Sequence, residues 1–545
     1  MSTVRSDITL PPDLRKTTGT GPVRLQQPVF VDSIPPCNHA CPAGENIQAW
    51  LDKAQAGDFE SAWRILVRDN PMPAIHGRVC YHPCESSCNR QHVDDAVSIH
   101  AVERYLGDLA LENGWVPEIE QQASGKKILI VGAGPSGLSA SWHLALLGHE
   151  VEIREAGPMA GGMMRFGIPA YRMPRDVLEG EVDRIRKIGV KITLNSKVED
   201  VMATKEAEGF DAVFMSIGAH LAKHVDIPAR DSGRILDAVS YLAAVERGEE
   251  PKLGRRVAVY GGGNTAMDAA RTAKRLGAEE TMIIYRRDRE HMPAHEFEAV
   301  EAESEGIKIN WLRTIREIDS TTFQVEVMEV DENGRPQPTG VIETLEADSL
   351  VLALGQNVDT SVLERIPGVS LAWDGVVEVN DNMMTGAEGI FAGGDMVPSE
   401  RTVTIATGHG KKAARHIDAW LRGTNYHKEP AEPSVDFNAL HLRYYTDAQQ
   451  RQQASLDPEN RTTDFREVTA GLSAGEAQYE AARCYSCGNC FECDGCFGAC
   501  PEEAIIKLGK GKRYEVKYDL CTGCQACFLQ CPCHAIEMVK TGNRA

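Results

Sequence analysis

The sequence predicts a multidomain α/β protein flanked by cysteine-rich domains, and three observations carry that expectation. Two glycine fingerprints, GAGPSG at 132–137 and GGGNTA at 261–266, each follow an apolar strand and open a helix. Sixteen cysteines are confined to two stretches, five at 37–88 and eleven at 484–533, with none in the 395 residues between. The last stretch contains two Cys-x-x-Cys-x-x-Cys-x-x-x-Cys-Pro runs, at 490–501 and 521–532. Together they predict an N-terminal helical iron–sulfur domain, two Rossmann-type dinucleotide-binding domains with the second inserted in the first, and a C-terminal ferredoxin-like 2[4Fe–4S] domain.

Length and composition bound the possibilities. A chain of 545 residues has room for three or four domains with full cores. Mean hydropathy is −0.30, and no run of about 18 or more apolar residues is present to span a membrane. The start, MSTVRSDITLPPDLRK, lacks the apolar core of a signal peptide, so the expected location is cytoplasmic. A net charge of −21 argues against nucleic acid or an anionic membrane as the main partner. Disulfide staples would not be confined to two short stretches of a large leaderless protein. Short cysteine spacings point instead to metal or cluster ligation.

In chain order, the expected units are 1–113 (arm and helical Fe–S domain), 114–240 and 365–425 (two parts of an FAD domain) and 241–364 (an NAD(P)H domain). A connector with a helix follows at 426–483, and the ferredoxin-like domain at 484–545. Residues 1–30 are polar and read as an extended arm. Beyond Cys37 and Cys41, Ile47, Trp50 and Leu51, then Ala62, Ile65 and Leu66, recur at helical spacing, with a break at Gly57-Asp58. Cys80, Cys84 and Cys88 follow, then a helix containing Glu103. Thiolates at such spacings converge on an Fe–S cluster; zinc is the alternative, and the flavin fold that follows favours an electron carrier.

Residues 114–125 read as a linker into the first dinucleotide fold, KKILIVGAGPSGLSASWHLALLGHEVEIRE. Gly132 allows the tight turn, Gly134 lets the backbone approach a pyrophosphate, and Gly137 lets helix and strand pack closely. The helix N-terminus offers N–H groups to the diphosphate, and Glu155 stands where an acid accepts hydrogen bonds from a ribose diol. Gly161-Gly162 reads as a second close approach, and the strand at 211–217 ends in Gly218-Ala219. In the second unit Gly261 and Gly263 take the first two glycine positions and Ala266 the third, with Asn264 and Thr265 opening the helix. Its strand at 281–285 ends in Tyr285-Arg286-Arg287 instead of an acid. Arginine accommodates a 2′-phosphate, so NADPH is expected ahead of NADH; a solvated strand end is the alternative. The chain then returns to the first fold, with an apolar strand in 348–359 closing at Gly355-Gln356. A further strand at 388–396 carries Asp395, and a helix at 402–420 has Thr404 near its start. Asp395 suits a ribityl hydroxyl, and the helix N-terminus suits negative charge on a reduced isoalloxazine.

From about residue 30 to 425 the chain resembles the small subunit of NADPH-dependent glutamate synthase. It is equally similar to the large subunit of NADH-dependent ferredoxin:NADP oxidoreductase and to the N-terminal half of dihydropyrimidine dehydrogenase. The motifs are CNHACP, GRVC…CESSC, GAGPSG, GGMMRFGIPAYRMP, YGGGNTAMD, YRRD and GIFAGGD. The resemblance implies FAD in the first fold, NAD(P)H in the second and cluster ligands in the helical domain. It also implies that Glu103, in VERY, is a non-cysteine cluster ligand.

Residues 426–470 are polar and read as a long connector. In the two-cluster ferredoxin pattern the fourth cysteine of each run serves the other cluster. Cys490, Cys493, Cys496 and Cys531 are then one set, and Cys521, Cys524, Cys527 and Cys500 the other. Cys484 and Cys487 are surplus to both. Relatives with two N-terminal clusters carry a Cys-x-x-Cys before Cys-x-x-x-Cys-Pro, at the end of a helix reading like EAxRCxxC. Here VFVDSIPP precedes Cys37, whereas GEAQYEAARCYSC (475–487) reads like the absent segment. The expectation is a fold-back in which Cys484 and Cys487 join Cys37 and Cys88, while Cys41, Cys80 and Cys84 with Glu103 form the other N-terminal set. Four [4Fe–4S] clusters result, with Cys533 left over. The alternative leaves Cys484 and Cys487 as free thiols and gives three clusters.

The expected function is an NAD(P)H:acceptor oxidoreductase subunit, exchanging electrons with a low-potential protein partner within a hetero-oligomer. That partner is a ferredoxin or a 2-oxoacid:ferredoxin oxidoreductase-type enzyme. The competing functions are a glutamate synthase small subunit feeding a glutaminase-bearing partner, and a non-catalytic redox sensor or scaffold. Hydride transfer is the cofactors' chemistry, so no general base is assigned. His291, His295 and His409 read as polar or packing residues.

Overall fold

A computed structural model describes residues 24–223, 227–230, 234–427 and 433–541. Two five-stranded parallel sheets form its centre. In the first, the apolar strand Lys127–Val131 lies between Glu150–Arg154 and Ala212–Met215, with Lys191–Thr193 and Ile390–Ala392 at the edges. Helices Pro135–Leu146 and Val403–Leu421 pack together over it. In the second, Arg256–Tyr260 is flanked by Glu280–Tyr285 and Ser349–Leu352, with Lys308–Trp311 and Arg234–Asp237 outside. An antiparallel sheet of Arg313–Asp319, Thr322–Val330 and Pro336–Glu346, with Ala229–Arg230, covers one side of that domain. Where the chain crosses between the two domains, Leu221–Ala222 and Gln356–Asn357 pair antiparallel.

The N-terminal helices follow the expected pattern. Asp58 caps Phe59–Leu66 by accepting from the Ser61 amide, which separates that helix from Ile47–Gln55 at the predicted break. Trp50, Trp63 and Trp142 are wholly buried in one core shared by these helices and the first dinucleotide fold. Burying one such large apolar side chain contributes about 1.5–3 kcal/mol. The same core takes in Leu472, Ala477 and Ala481, from the C-terminal helix Ala474–Ala482 and its approach. The second dinucleotide domain has cores of its own.

Four expectations require correction. The strand Ser349–Leu352, inside the expected bounds 241–364 but read as part of the return to the first fold, belongs to the second sheet, paired with Arg256–Tyr260. The return to the first fold therefore comes later, at the crossing pair. The expected limit at 240/241 also falls late, because Arg234–Asp237 already lies in the second sheet. The arm is not merely extended: Gln26–Phe30 pairs antiparallel with Ile536–Lys540, so both ends of the chain build the C-terminal domain. Residues 1–23 lie outside the described residues. Finally, 433–470 is a strap and not a loose connector. Its Glu467 accepts from Arg78 at 2.7 Å and pairs with Arg104 at 3.0 Å, and the Val468 amide donates to Tyr171 O. Polar composition misled here because the strap's hydrogen bonds are made with the protein instead of with water. No helix among the described residues is long and apolar enough to cross a membrane.

Candidate functional site

A chamber of about 800 Å³ lies between the two dinucleotide folds. Gly132, Gly134, Glu155, Gly162, Gly218 and Asp395 line it from the first fold, and Asn264 and Thr265 from the second. The fingerprint glycines have the contacts a nucleotide loop needs. A Cβ on Gly137 would sit 2.1 Å from Gly132 O, so only glycine lets the helix pack there, whereas one on Gly134 would project into open space. Gly162 crosses Gly134 so closely that its Cβ would fall 2.9 Å from the Gly134 Cα. The helix Pro135–Leu146 has no side-chain cap, which leaves its first N–H groups for an anion. Glu155 is held by the amides of Ala133 and Gly157, both at 2.8 Å. Burial raises the Asp395 carboxyl to about 6, against the opposing pull of Arg401. These residues fit an extended dinucleotide with its diphosphate at the Gly134 turn.

The nicotinamide side has the same construction. Gly261 has φ +149°, and a Cβ there would meet Ala353 O at 2.3 Å. Gly263 opens Asn264–Arg275 without a side-chain cap, and Ala266 is fully buried beneath it. Arg286 and Arg287 follow the strand Glu280–Tyr285; Arg286 is exposed, and Arg287 Nε is buried without a hydrogen-bond partner. His409 Nδ1 accepts from the Gly394 amide, and the His295 ring stacks on Tyr81.

Of the expected nucleotide contacts, Gly355 and Thr404 lie outside the chamber lining, as do Gly261, Gly263, Arg286 and Arg287. The Gly355 carbonyl accepts from Lys223 N in the crossing pair; Gln356 lines the chamber instead. Thr404 turns away from the flavin side. In the first turn of Val403–Leu421, Val403 and Ala406 face the chamber, while Thr404 lines a small cavity with Cys41, Cys80, Cys84 and Glu103. Successive helical residues point about 100° apart, a distinction that a one-dimensional motif does not carry.

The cysteines gather in four sets. Burial pushes the Cys37 thiol well above its ordinary range, and the nearby groups that add to this are Cys484, Cys88 and Cys487. Cys41 is raised by burial, then by Glu45, Glu103 and Cys80. Cys84 is raised by burial and by Glu85, Cys41 and Cys80. Cys496 is pushed up to about 12 by burial, with Cys490, Cys493 and Cys531 around it. Cys527, pushed up to about 11 by burial, has Cys521, Cys500 and Cys524 as neighbours. No two of the sixteen are disulfide-bonded. Cys533 is buried, its Sγ 3.8 Å from that of Cys531. Four thiolates, or three with a carboxylate, suit an iron–sulfur cluster.

The fold-back geometry is explicit. Helix Ala474–Ala482 packs on Ile47–Gln55 and Ile99–Glu112. Gln48 Nε2 donates to Ser486 Oγ, and Asn89 Nδ2 to Cys487 Sγ at 3.4 Å. The cysteine sets also abut the flavin side. Gly408 in Val403–Leu421 lies against Pro42, next to Cys41, where a Cβ would meet Pro42 O at 2.2 Å.

Sequence reasoning missed several residues here. Asn70 donates to Glu103 at 2.6 Å and to Glu45 at 3.0 Å, holding the two buried carboxylates together. Arg172 joins the folds, pairing with Asp268 at 2.8 Å and Glu298 at 2.7 Å. Tyr81, beside Cys80, lines the chamber. Only Arg172 carried a signal, as the one charged residue in GIPAYRMP.

Two dinucleotide folds around one chamber, with cysteine sets packed against them, define a flavin- and iron–sulfur-dependent oxidoreductase. Comparison with known proteins narrows the class. Residues 126–410 match the pyridine nucleotide-disulphide oxidoreductase family, and 32–115 match dihydropyrimidine dehydrogenase domain II, 4Fe-4S cluster. The chain is 36% identical over 500 residues to the NADP(+)-dependent formate dehydrogenase subunit beta of Moorella thermoacetica, covering 83% of this chain and 70% of that one. It is 33% identical to the NADPH-Fe(3+) oxidoreductase subunit beta of Geobacter sulfurreducens, covering 84% and 76%. With the glutamate synthase [NADPH] small chain of Azospirillum brasilense it shares 32% identity, covering 71% and 87%. The chain belongs to the pyridine nucleotide-disulphide oxidoreductase family. It is an NAD(P)H-dependent oxidoreductase with FAD and [4Fe–4S] cofactors.

Proposed function

We propose that the chain is the NADPH-facing electron-transfer subunit of a cytoplasmic hetero-oligomer, with a low-potential redox enzyme or a ferredoxin as its partner. The relatives named above as beta subunits and a small chain support a multi-subunit setting. The single observation that carries the reading is the continuous series of donor sets leading away from the chamber. The flavin-side helix abuts Pro42 beside Cys41. Cys37 and Cys41 share one short helical turn, and so place two sets side by side. Cys487 and Cys490 are separated by two residues, and Gly488 N donates to Cys533 O at the same junction. The last set includes the exposed Cys524.

FAD bound here would supply hydride acceptance from the reduced nicotinamide and one-electron release, and bound clusters would supply one-electron conduction. The chain's own residues position these groups. We assign the Gly134 turn to the flavin diphosphate, Glu155 to its ribose and Asp395 to the ribityl chain. The Gly263 turn takes the nicotinamide nucleotide, with Arg286 and Arg287 at its 2′-phosphate. Cys37, Cys88, Cys484 and Cys487 hold one cluster, and Cys41, Cys80, Cys84 and Glu103 a second. The ferredoxin-like sets, Cys490, Cys493, Cys496 and Cys531 with Cys500, Cys521, Cys524 and Cys527, hold two more.

A charge-assisted contact to a 2′-phosphate is worth about 1.5–3 kcal/mol. Replacing Arg286 and Arg287 by Ala should therefore raise KM for NADPH far more than for NADH in a viologen reductase assay. Equal effects on the two nucleotides would overturn the NADPH assignment. Turnover by the purified chain would also exclude a sensor or scaffold role, against which two nucleotide folds opening on one chamber already speak.

A further inference from the structure

Tyr81 follows Cys80, yet its side chain reaches the nicotinamide domain. Its hydroxyl accepts from Asn264 Nδ2 at 2.5 Å and donates to Glu298 Oε1 at 3.4 Å. Its ring stacks on His295 with centroids 3.6 Å apart and planes 16° from parallel. The His295 amide in turn donates to Asn264 Oδ1 at 3.1 Å. Both ends of the Asn264 amide are therefore held. Asn264 is the first residue of Asn264–Arg275, the uncapped helix that opens on the chamber.

A second brace converges on the same two helices. Arg172, from the flavin-side loop, pairs with Asp268 on Asn264–Arg275 and with Glu298 on Glu296–Ser304. Among the described residues, the chain passes between the domains at the crossing pair of two-residue strands. The position of the nicotinamide helix over the chamber thus depends on side-chain contacts, and one of them comes from the iron–sulfur domain.

We propose that Tyr81 is a positioning residue for hydride transfer: it holds Asn264, and with it the N-terminus of the nicotinamide-binding helix, at working distance from the flavin. The proposal rests on the assignment of that helix to the nicotinamide nucleotide. A tyrosine suits the task, because a phenol donates once and accepts at the same oxygen, and its ring has few rotamers to lose. Misplacing a reacting centre by a fraction of an ångström lowers the rate while leaving binding largely intact. No proton or electron passes through Tyr81 in this role.

The test is Tyr81→Phe in the holo-protein, which removes both hydroxyl bonds and keeps the stacked ring. Flavin reduction by saturating NADPH, followed by stopped flow, should slow by about tenfold, equivalent to about 1.4 kcal/mol. FAD content, iron content and reduction by dithionite should match the wild type, and NADP+ affinity should change far less than the rate. Asn264→Ala should give a similar loss, and the double variant no further loss, because both act through one contact. Wild-type reduction rates in Tyr81→Phe, or losses that multiply in the double variant, would overturn the proposal alone. If dithionite reduces the wild type but NADPH does not, the nucleotide assignment falls and the proposal with it.

Discussion

The two C-terminal groups of cysteines lie wholly within residues 490–531, whereas the neighbours of Cys37 include Cys484 and Cys487, from the other end of the sequence, beside Cys88. The C-terminal halves repeat each other closely. Asp494 and Gln525 both adopt left-handed backbone, at φ 65° and 68°, and both following helices end on a cysteine with φ −76° and ψ 109°. One member of each of these sets, Cys493 and Cys524, is exposed. No member of the N-terminal sets is. A local set draws its cysteines from one short segment, even though Gln26–Phe30 closes the sheet of that domain. A composite set exists only if helix Ala474–Ala482 docks, so its assembly depends on packing free energy gathered elsewhere.

The largest effect that tests this contrast is loss of a whole cluster. Cys484→Ser/Cys487→Ser should lower iron from about sixteen to about twelve per chain and leave the ferredoxin-type signals in place. A wild type holding only twelve, or a variant losing none, would remove the composite set.

Docking itself can be attacked next. Glu480 is fully buried, accepting from Ser98 N at 3.0 Å and pairing with Arg483 at 2.8 Å. Breaking a buried pair by removing one partner costs about 3–5 kcal/mol. Glu480→Ala should therefore destabilise the N-terminal cluster signals in thermal melts by that order while sparing the C-terminal pair. Parallel loss of all signals would mean that the two ends are one cooperative unit.

A smaller shift is expected from Asn89, whose amide donates to Cys487 Sγ. Hydrogen bonds to cluster sulfurs stabilise the more negative, reduced state. Asn89→Leu should lower the midpoint potential of one cluster in a redox titration, with iron content unchanged. An unchanged set of potentials would mean that this contact does not tune the cluster.

The mildest test uses exposure. Limited treatment with an iron chelator and oxidant should bleach the C-terminal clusters first, because Cys493 and Cys524 face solvent. Simultaneous bleaching of all sets would break the contrast.

Some of this architecture was legible in the residues and some was not. The glycine fingerprints could be placed because Gly132, Gly134 and Gly137 answer to backbone geometry within a single turn. Thr404 could not, because the face on which a helical residue lands depends on what packs against each side. Ser349–Leu352 was read into the wrong sheet for a similar reason. An apolar strand announces that it is buried, but not which neighbours bury it, and this one lies beside Arg256–Tyr260. The strap at 433–470 looked like a linker because its buried apolar residues, Val435, Leu440 and Val468 among them, are scattered without a helical or strand period, and much of its contact runs through polar groups such as Glu467.

By itself, the sequence determined two dinucleotide folds, the pairing pattern within the C-terminal cysteine runs, and a surplus of Cys484 and Cys487 over those runs. Each of these is a short-range relation, set by turn geometry, helical spacing or ligand count. Tertiary structure alone decided that Gln26–Phe30 closes a sheet with Ile536–Lys540 and that Arg172 braces Asp268 and Glu298. It also carried Tyr81 from the cysteine loop to Asn264. These contacts join residues far apart in the chain, and their partners are selected by the shape and polarity of surfaces that exist only once the separate cores have formed.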